Sequence, residues 1–196
     1  MIELTYEQKN FLRDHKVPLN KVFNATGMSA KAYGDVMKRL GMWVAYGVTP
    51  CRNAGHQLRL RSGHCFQCAP AGISYLKRHD LNGEIYVAYS LARKIVKVGS
   101  AVDSKERIKN LNIYGYGGAN DWVRFFAVHS EKAGMLETSA QAALAEYATA
   151  GCYVKTGQGI ECRELFSCSI PVAVEAVKNT IKHHRLLVAL IQDYKP

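Results

Sequence analysis

Four residues with metal-binding side chains fall within eighteen positions: Cys51, His56, Cys65 and Cys68, spaced C-x4-H-x8-C-x2-C. Two thiolates three positions apart in a tight turn can grip one ion, and a third thiolate and an imidazole complete a tetrahedral Cys3His shell suited to Zn2+. Protein fills all four places, so a structural zinc site is expected, with metal binding coupled to folding of the surrounding segment. His64 competes with His56 as the fourth ligand; its adjacency to Cys65 makes the geometry harder, and His56 is preferred. The plainer alternative is a chance group of buried thiols, against which stand the compact spacing and the basic, loop-rich setting.

Arg52, Arg59 and Arg61 lie between these ligands. On a metal-stiffened loop they would serve as phosphate or base-edge contacts; otherwise they are solvated surface arginines. The charge balance bears on that choice. Lys and Arg number 26 against 16 Asp and Glu, and residues 1–82 hold 12 of the basic and only 5 of the acidic side chains. A positive field concentrated before residue 83 fits a polyanion, with DNA as the expected partner, although solubility or an acidic protein would also fit it. The longest late apolar run, Leu186 to Ile191, has six residues. A bilayer span needs roughly 20, so no membrane association is expected, and the expected setting is cytoplasmic, in a bacterium or a phage-infected host cell.

The elements that must position these groups follow from periodicity. Residues 5–16 predict a short helix. Leu19, Val22 and Phe23 recur at helical spacing, Gly27 interrupts, Ser29 caps a second helix carrying Tyr33, Val36, Met37 and Leu40, and Gly41 stops it. The pair predicts a helix-turn-helix whose second helix would present Lys31, Lys38 and Arg39 to DNA, mainly to phosphates; the alternative is an ordinary helical hairpin with solvated lysines. Residues 71–82 predict a connection ending in the Asn82-Gly83 turn. Beyond it come two strands over 85–89 and 95–98 in a hairpin turning at Leu91-Ala92-Arg93, a helix over 103–111, a strand over 122–128, a helix over 131–148, and a long last helix over 172–193 led by Pro171.

Within that second region, Glu84-Ile85-Tyr86 is followed after ten residues by Lys97-Val98-Gly99. Arg107 opens the first helix, Glu137 lies in the second within Met135-Leu136-Glu137, and Arg163-Glu164-Leu165-Phe166 precedes the last. As an ensemble over about 110 residues these resemble the GIY-YIG nuclease family, in its phage-associated branch where the second triplet begins with Lys. The resemblance implies an α+β fold, a small three-stranded sheet flanked by helices, and a DNA endonuclease whose catalytic residues are Tyr86, Lys97, Arg107 and Glu137, with Glu137 binding Mg2+ or Mn2+. The chain departs from the family's pattern at Leu111, where many relatives carry His or Tyr, and at Cys152, where many carry Asn; Asn112 and His129 are possible substitutes that nothing in the sequence selects.

Chemistry agrees with those roles. Phosphodiester hydrolysis needs an activated water, a cation at the phosphoryl oxygens and relief of charge on the leaving oxygen. Glu137 can hold one hydrated divalent ion, and Arg107 offers a fixed fork to phosphate. Tyr86 would position or deprotonate the water; with an unperturbed pKa of about 10 it would need neighbouring positive charge to lower it, which Lys97 could supply. On the hairpin, residues whose numbers sum to 183 or 184 would pair, setting Tyr86 against Lys97. Two other roles stay open for Lys97: the base itself if desolvated, or a phosphate contact.

The expected organisation is a helical DNA-binding region over 1–48, a zinc module and linker over 49–82, and a nuclease domain over 83–196, with a homodimer on DNA as one route to double-strand cleavage. Two other readings compete with the endonuclease: a DNA-binding regulatory protein with a degenerate nuclease domain, and a zinc-stiffened protein-interaction module.

Overall fold

The computed structural model describes residues 3–155 and 157–195. The chain forms two compact units, Met1–Lys77 and Arg78–Pro196. It is α+β, with six α-helices and several small sheets among the described residues. No described helix is long and apolar enough to cross a membrane.

In the first unit Thr5 opens α1 (Tyr6–Asp14). Its hydroxyl accepts from Gln8 N while the Gln8 side chain accepts from Thr5 N, so two of the helix's orphan donors are satisfied reciprocally. The next segment corrects the helix-turn-helix expectation. Leu19–Lys21 is a single 3-10 turn and β1 (Val22–Asn24) is extended, so there is no first helix. Five residues at helical spacing are too few to hold a helix alone, whereas Val22 and Phe23 gain a ladder against Val44 and Ala45. The second helix is present as α2 (Ala30–Leu40), capped by Ser29 and stopped by Gly41 at φ 64°. It connects β1 to its parallel neighbour β2 (Val44–Tyr46), and β3 (Arg59–Leu60) adds on antiparallel. The predicted connection over 71–82 instead contains α3 (Gly72–His79), whose Ile73 and Leu76 are buried with Leu12, Val44, Leu58 and Phe66.

In the second unit β4 (Gly83–Ser90) and β5 (Ile95–Ala101) form the predicted hairpin, and Asp103 caps α4 (Ser104–Ile113). Next come β6 (Trp122–Ser130), α5 (Ala133–Ala143), the hairpin β7 (Gly151–Lys155) and β8 (Gln158–Cys162), β9 (Leu165–Phe166), α6 (Ile170–His184) and β10 (Ala189–Gln192). The sheet has five antiparallel strands in the order β10-β6-β4-β5-β9, so the three predicted strands are its centre rather than its whole. Two helix predictions run too long. The helix over 131–148 ends at Ala143, and the last ends where Arg185 turns left-handed at φ 52°, leaving the apolar residues after it to pair with β6 as β10. Their run of apolar side chains is compatible with either period, and the partner strand decides.

β4 is buried on both faces because both are covered. Ile85 and Val87 pack with Val96, Val98, Phe126 and Val128 against Leu136 and Ala140 of α5 and Val174 and Val177 of α6. Tyr86 and Ala88 pack on the opposite side with Leu111 of α4, Trp122 and Leu165. The hairpin register differs from the expected one: paired numbers sum to 185, setting Tyr86 opposite Gly99 and Lys97 opposite Ala88. The turn holds four residues, closed by Lys94 at φ 54°, and Asp121 accepts from Ala92 N at 2.7 Å and from Ser90 Oγ. The Tyr86 and Lys97 side chains therefore share a face as diagonal neighbours rather than meeting directly.

Candidate functional site

The metal-ligand residues of the first unit come together. The ligand atoms of Cys51, His56, Cys65 and Cys68 all lie within 4.8 Å of one another. Cys51 Sγ and Cys68 Sγ are 3.8 Å apart, and His56 Nδ1 is 3.4 Å from Cys68 Sγ and 3.7 Å from Cys65 Sγ. A tetrahedron with Zn–S about 2.3 Å and Zn–N about 2.0 Å has edges of roughly 3.5–3.8 Å, so the cluster fits one zinc-sized ion. His64 lies outside it and contacts Ser62 Oγ at 3.0 Å. Local backbone supports the loop: Cys51 N donates to His56 O, Gly55 N to Cys51 O, and Ala54 N to Cys51 Sγ. The last of these, with a smaller contribution from His56 N, draws the Cys51 thiol down to about 6.

The basic residues predicted for DNA differ in what they can offer. Lys31, Lys38 and Arg39 on α2 and Arg52 on the metal loop are exposed. Arg59 is partly engaged within the protein: its guanidinium donates to the carbonyls of His56 at 3.0 Å, Leu58 at 3.3 Å and Thr49 at 2.8 Å, which ties the metal loop together. Arg61 is partly buried, with its backbone N–H on Trp43 O.

In the second unit Tyr86, Lys97, Arg107 and Glu137, from β4, β5, α4 and α5, converge closely enough that the other three all act electrostatically on the Tyr86 phenol. Tyr86 is fully buried beside Gly99, where a Cβ would stand 2.6 Å from the phenol oxygen; glycine is required because the ring crosses that strand. Among the described residues Tyr86 Oη has no partner that forms a well-made hydrogen bond, although Arg107 lies near enough to act on it. Such an orphan costs about 1–3 kcal/mol. Burial pushes the phenol above its ordinary value, and the opposing charges of Lys97 and Arg107 do not overcome it. The expectation that positive neighbours lower it is thus corrected: desolvation wins.

Lys97 is 1% exposed, with its ammonium bonded to Glu164 and 4.8 Å from the Tyr116 ring centroid. Burial favours the neutral amine, but the acidic side chains around it, of which Glu164 is the one in contact and ionised at ordinary pH, outweigh it and hold Lys97 charged, above its ordinary range. As it stands, the ammonium is buried and held by Glu164 rather than free. Glu137 accepts from Ser100 Oγ at one carboxylate oxygen and from Gln141 Nε2, 3.1 Å away, at the other; Gln141 also caps Val98 O at 3.0 Å. Burial, with the Glu164 carboxylate adding to it, raises the Glu137 pKa against the pull of Ser100 and Lys97. On the neighbouring strand edge, β9 pairs with Val96 and Lys97 of β5, and Phe166 also bridges Ala148.

Three contributors had no role in the sequence reading. Gln141 lies four residues after Glu137, a spacing that shares a helix face and could have been noticed. Ser100 follows Gly99 directly, and Glu164 lies within the quoted Arg163–Phe166 element. What pointed to Glu164 was a lysine within the apolar strand Ile95-Val96-Lys97-Val98, because a buried ammonium requires an acid. Of the suggested substitutes, Asn112 is occupied structurally, its side chain bridging to the Trp122 backbone at both its N–H and its carbonyl.

Residues 83–185 match the model of the T5orf172 domain, a family distinct from the GIY-YIG nucleases. The resemblance read from the two triplets is therefore corrected. The T5orf172 domain is associated with nuclease and DNA-binding functions, consistent in general terms with a protein that acts on DNA. Neither the curated proteins nor the solved structures yield a match to the chain.

Proposed function

The chain belongs to the T5orf172 domain family, and from that membership and the convergent site we propose that it is a metal-dependent endonuclease hydrolysing DNA phosphodiester bonds. The observation that carries the reading is the meeting of Tyr86, Lys97, Arg107 and Glu137 from four elements around a buried phenol oxygen left without a well-formed hydrogen bond among the described residues. A polar orphan of that cost persists more readily in a site awaiting a ligand than in a core free to replace Tyr by Phe.

Glu137 is the residue that would hold Mg2+ or Mn2+. Its carboxylate is oriented by Ser100 and Gln141, and it is held in surroundings that disfavour its own charge, which a cation relieves. A bound divalent ion would supply Lewis-acid charge at a phosphoryl oxygen. Arg107 supplies a fork for phosphate oxygens as negative charge builds. Tyr86, neutral at working pH, orients the attacking water with a phenol able both to donate and to accept. Lys97, its diagonal neighbour on the same sheet face, is a fixed positive charge beside it. One such site cuts one strand; cleavage of both needs a second copy or a second encounter.

In the first unit we assign zinc to the Cys3His cluster, and phosphate contact to Lys31, Lys38, Arg39 and Arg52. Purified protein with Mg2+ on supercoiled plasmid, beside Glu137→Ala, tests the reading. Nicking by the parent alone is expected. Salt-sensitive DNA binding without nicking would instead make the chain a DNA-binding regulator, and equal nicking by both would remove Glu137 as the ligand.

A further inference from the structure

A buried ammonium needs a compensating charge, and for Lys97 the compensating residue is one that the proposed reaction leaves without a role. Glu164 bonds the ammonium directly, and Tyr116 Oη donates to the same carboxylate oxygen at 3.4 Å. The backbone fixes this contact. Leu165 and Phe166 of β9 pair with Lys97 and Val96 of β5, so Glu164, one residue before β9, is carried to the strand that bears Lys97. The two ends of the pair differ in burial, Lys97 being 1% and Glu164 38% exposed, so the carboxylate forms its solvent side.

We propose that Glu164 is a positioning residue of the candidate active site, which holds Lys97 in place and protonated beside Tyr86 and has no share in binding the metal. Its effect on cleavage rests on the endonuclease reading; its effect on Lys97 does not. The charged and titratable groups around Lys97 are Tyr86 on β4, Arg107 on α4, which also acts on Glu164 and Tyr86, Tyr116 on the turn after α4, Cys162 on β8, Glu137 on α5 and Glu164 itself. Tyr86 and Tyr116 are both pushed up by burial and stay neutral over any ordinary assay range. Cys162 is pushed up as well, and Glu137 bonds Ser100 and Gln141. Glu164 is thus the carboxylate in contact with the ammonium. Without it, desolvation acts unopposed by a contact partner, and Lys97 loses its proton at lower pH.

The test uses the full-length chain and two readouts. In the first, the 13Cε resonance of Lys97 is titrated in the parent, Glu164→Gln and Glu164→Asp. The parent is expected to stay protonated to the top of the range, Glu164→Gln to titrate at least one pH unit earlier, and Glu164→Asp to recover most of the shift. Unchanged titration in Glu164→Gln overturns the proposal. In the second, nicking is followed from pH 6 to 9. Glu164→Gln is expected to lose about tenfold by pH 9 and much less at pH 6, while adding it to Lys97→Met changes nothing further, as for residues that act as one unit. A pH profile parallel to the parent's, or loss of Mn2+ binding equal to that of Glu137→Ala, also overturns it. If the parent does not nick at all, the endonuclease reading fails alone, and the Lys97 titration still decides the pairing.

Discussion

The two clusters solve opposite electrostatic problems. The Cys3His loop draws four ligands from eighteen consecutive positions and brings three sulfurs within reach of one another, an arrangement that only a cation makes favourable. The cluster around Tyr86 draws on residues from 86 to 164, and it balances a buried lysine with a glutamate inside the protein. A site made from consecutive residues depends on its metal for order, whereas one made from separate elements depends on the core that holds those elements.

The largest expected effect breaks the first half of that comparison. With zinc assigned to the cluster, chelation or Cys65→Ser should abolish hydrogen-exchange protection over residues 49–69 and reduce bound zinc from an expected one per chain to near none. Structural zinc in isolated finger peptides binds with about 10–16 kcal/mol, and strands β4 to β6 should keep their protection. Protection that survives metal removal would mean that the loop is held by its hydrogen bonds alone. Next, Glu137→Ala and Arg107→Ala should each lower nicking by about 10²–10³-fold, as expected for removing charge stabilisation from a transition state, with little loss of fold. Retained cleavage in either would separate the geometric cluster from the chemistry.

Gly99→Ala comes third. Its Cβ would meet the Tyr86 phenol at 2.6 Å, so urea unfolding should show about 1–3 kcal/mol of destabilisation from overpacking. A smaller effect follows from the unpaired phenol oxygen. Tyr86→Phe should be neutral or stabilising by up to about 1 kcal/mol, since it removes a buried group without a partner, and yet it should stop nicking. A marked loss of stability would show that the oxygen is satisfied after all. Smallest of all, His64→Ala should leave zinc content unchanged while His56→Ala loses the metal; the reverse result would exchange the two ligands.

The Cys3His cluster was legible in the sequence, with His56 rather than His64 lying among the three thiols, because its spacing is local and a tetrahedral shell restricts it severely. So were the hairpin, the central third strand and the caps at Ser29, Asp103 and Gly41, each of which depends on neighbours within a few residues. Tyr86 and the three residues that converge on it were singled out in the sequence, but their family was not: two triplets, an arginine and a glutamate were compatible with a family that the whole of residues 83–185 does not match. The helical reading of 19–23 and the overlong last helix failed for one reason. Apolar runs such as Leu186 to Ile191 satisfy more than one period, and the choice falls to whichever strand edge is free to pair with them.

Sequence alone therefore determined the chemistry available: three thiols and an imidazole at zinc spacing, a basic N-terminal half, and a tyrosine, lysine, arginine and glutamate carried on strands and helices. Tertiary structure decided their state. Burial, a property of the packed sheet, raised the Tyr86 phenol where neighbouring charge had been expected to lower it, and a four-residue turn moved Lys97 from opposite Tyr86 to the diagonal. The two-residue β9 brought Glu164 to the lysine. The zinc cluster could be read in advance because its geometry is written in chain spacing. The other could not, because its proton affinities belong to the environment that distant segments build together.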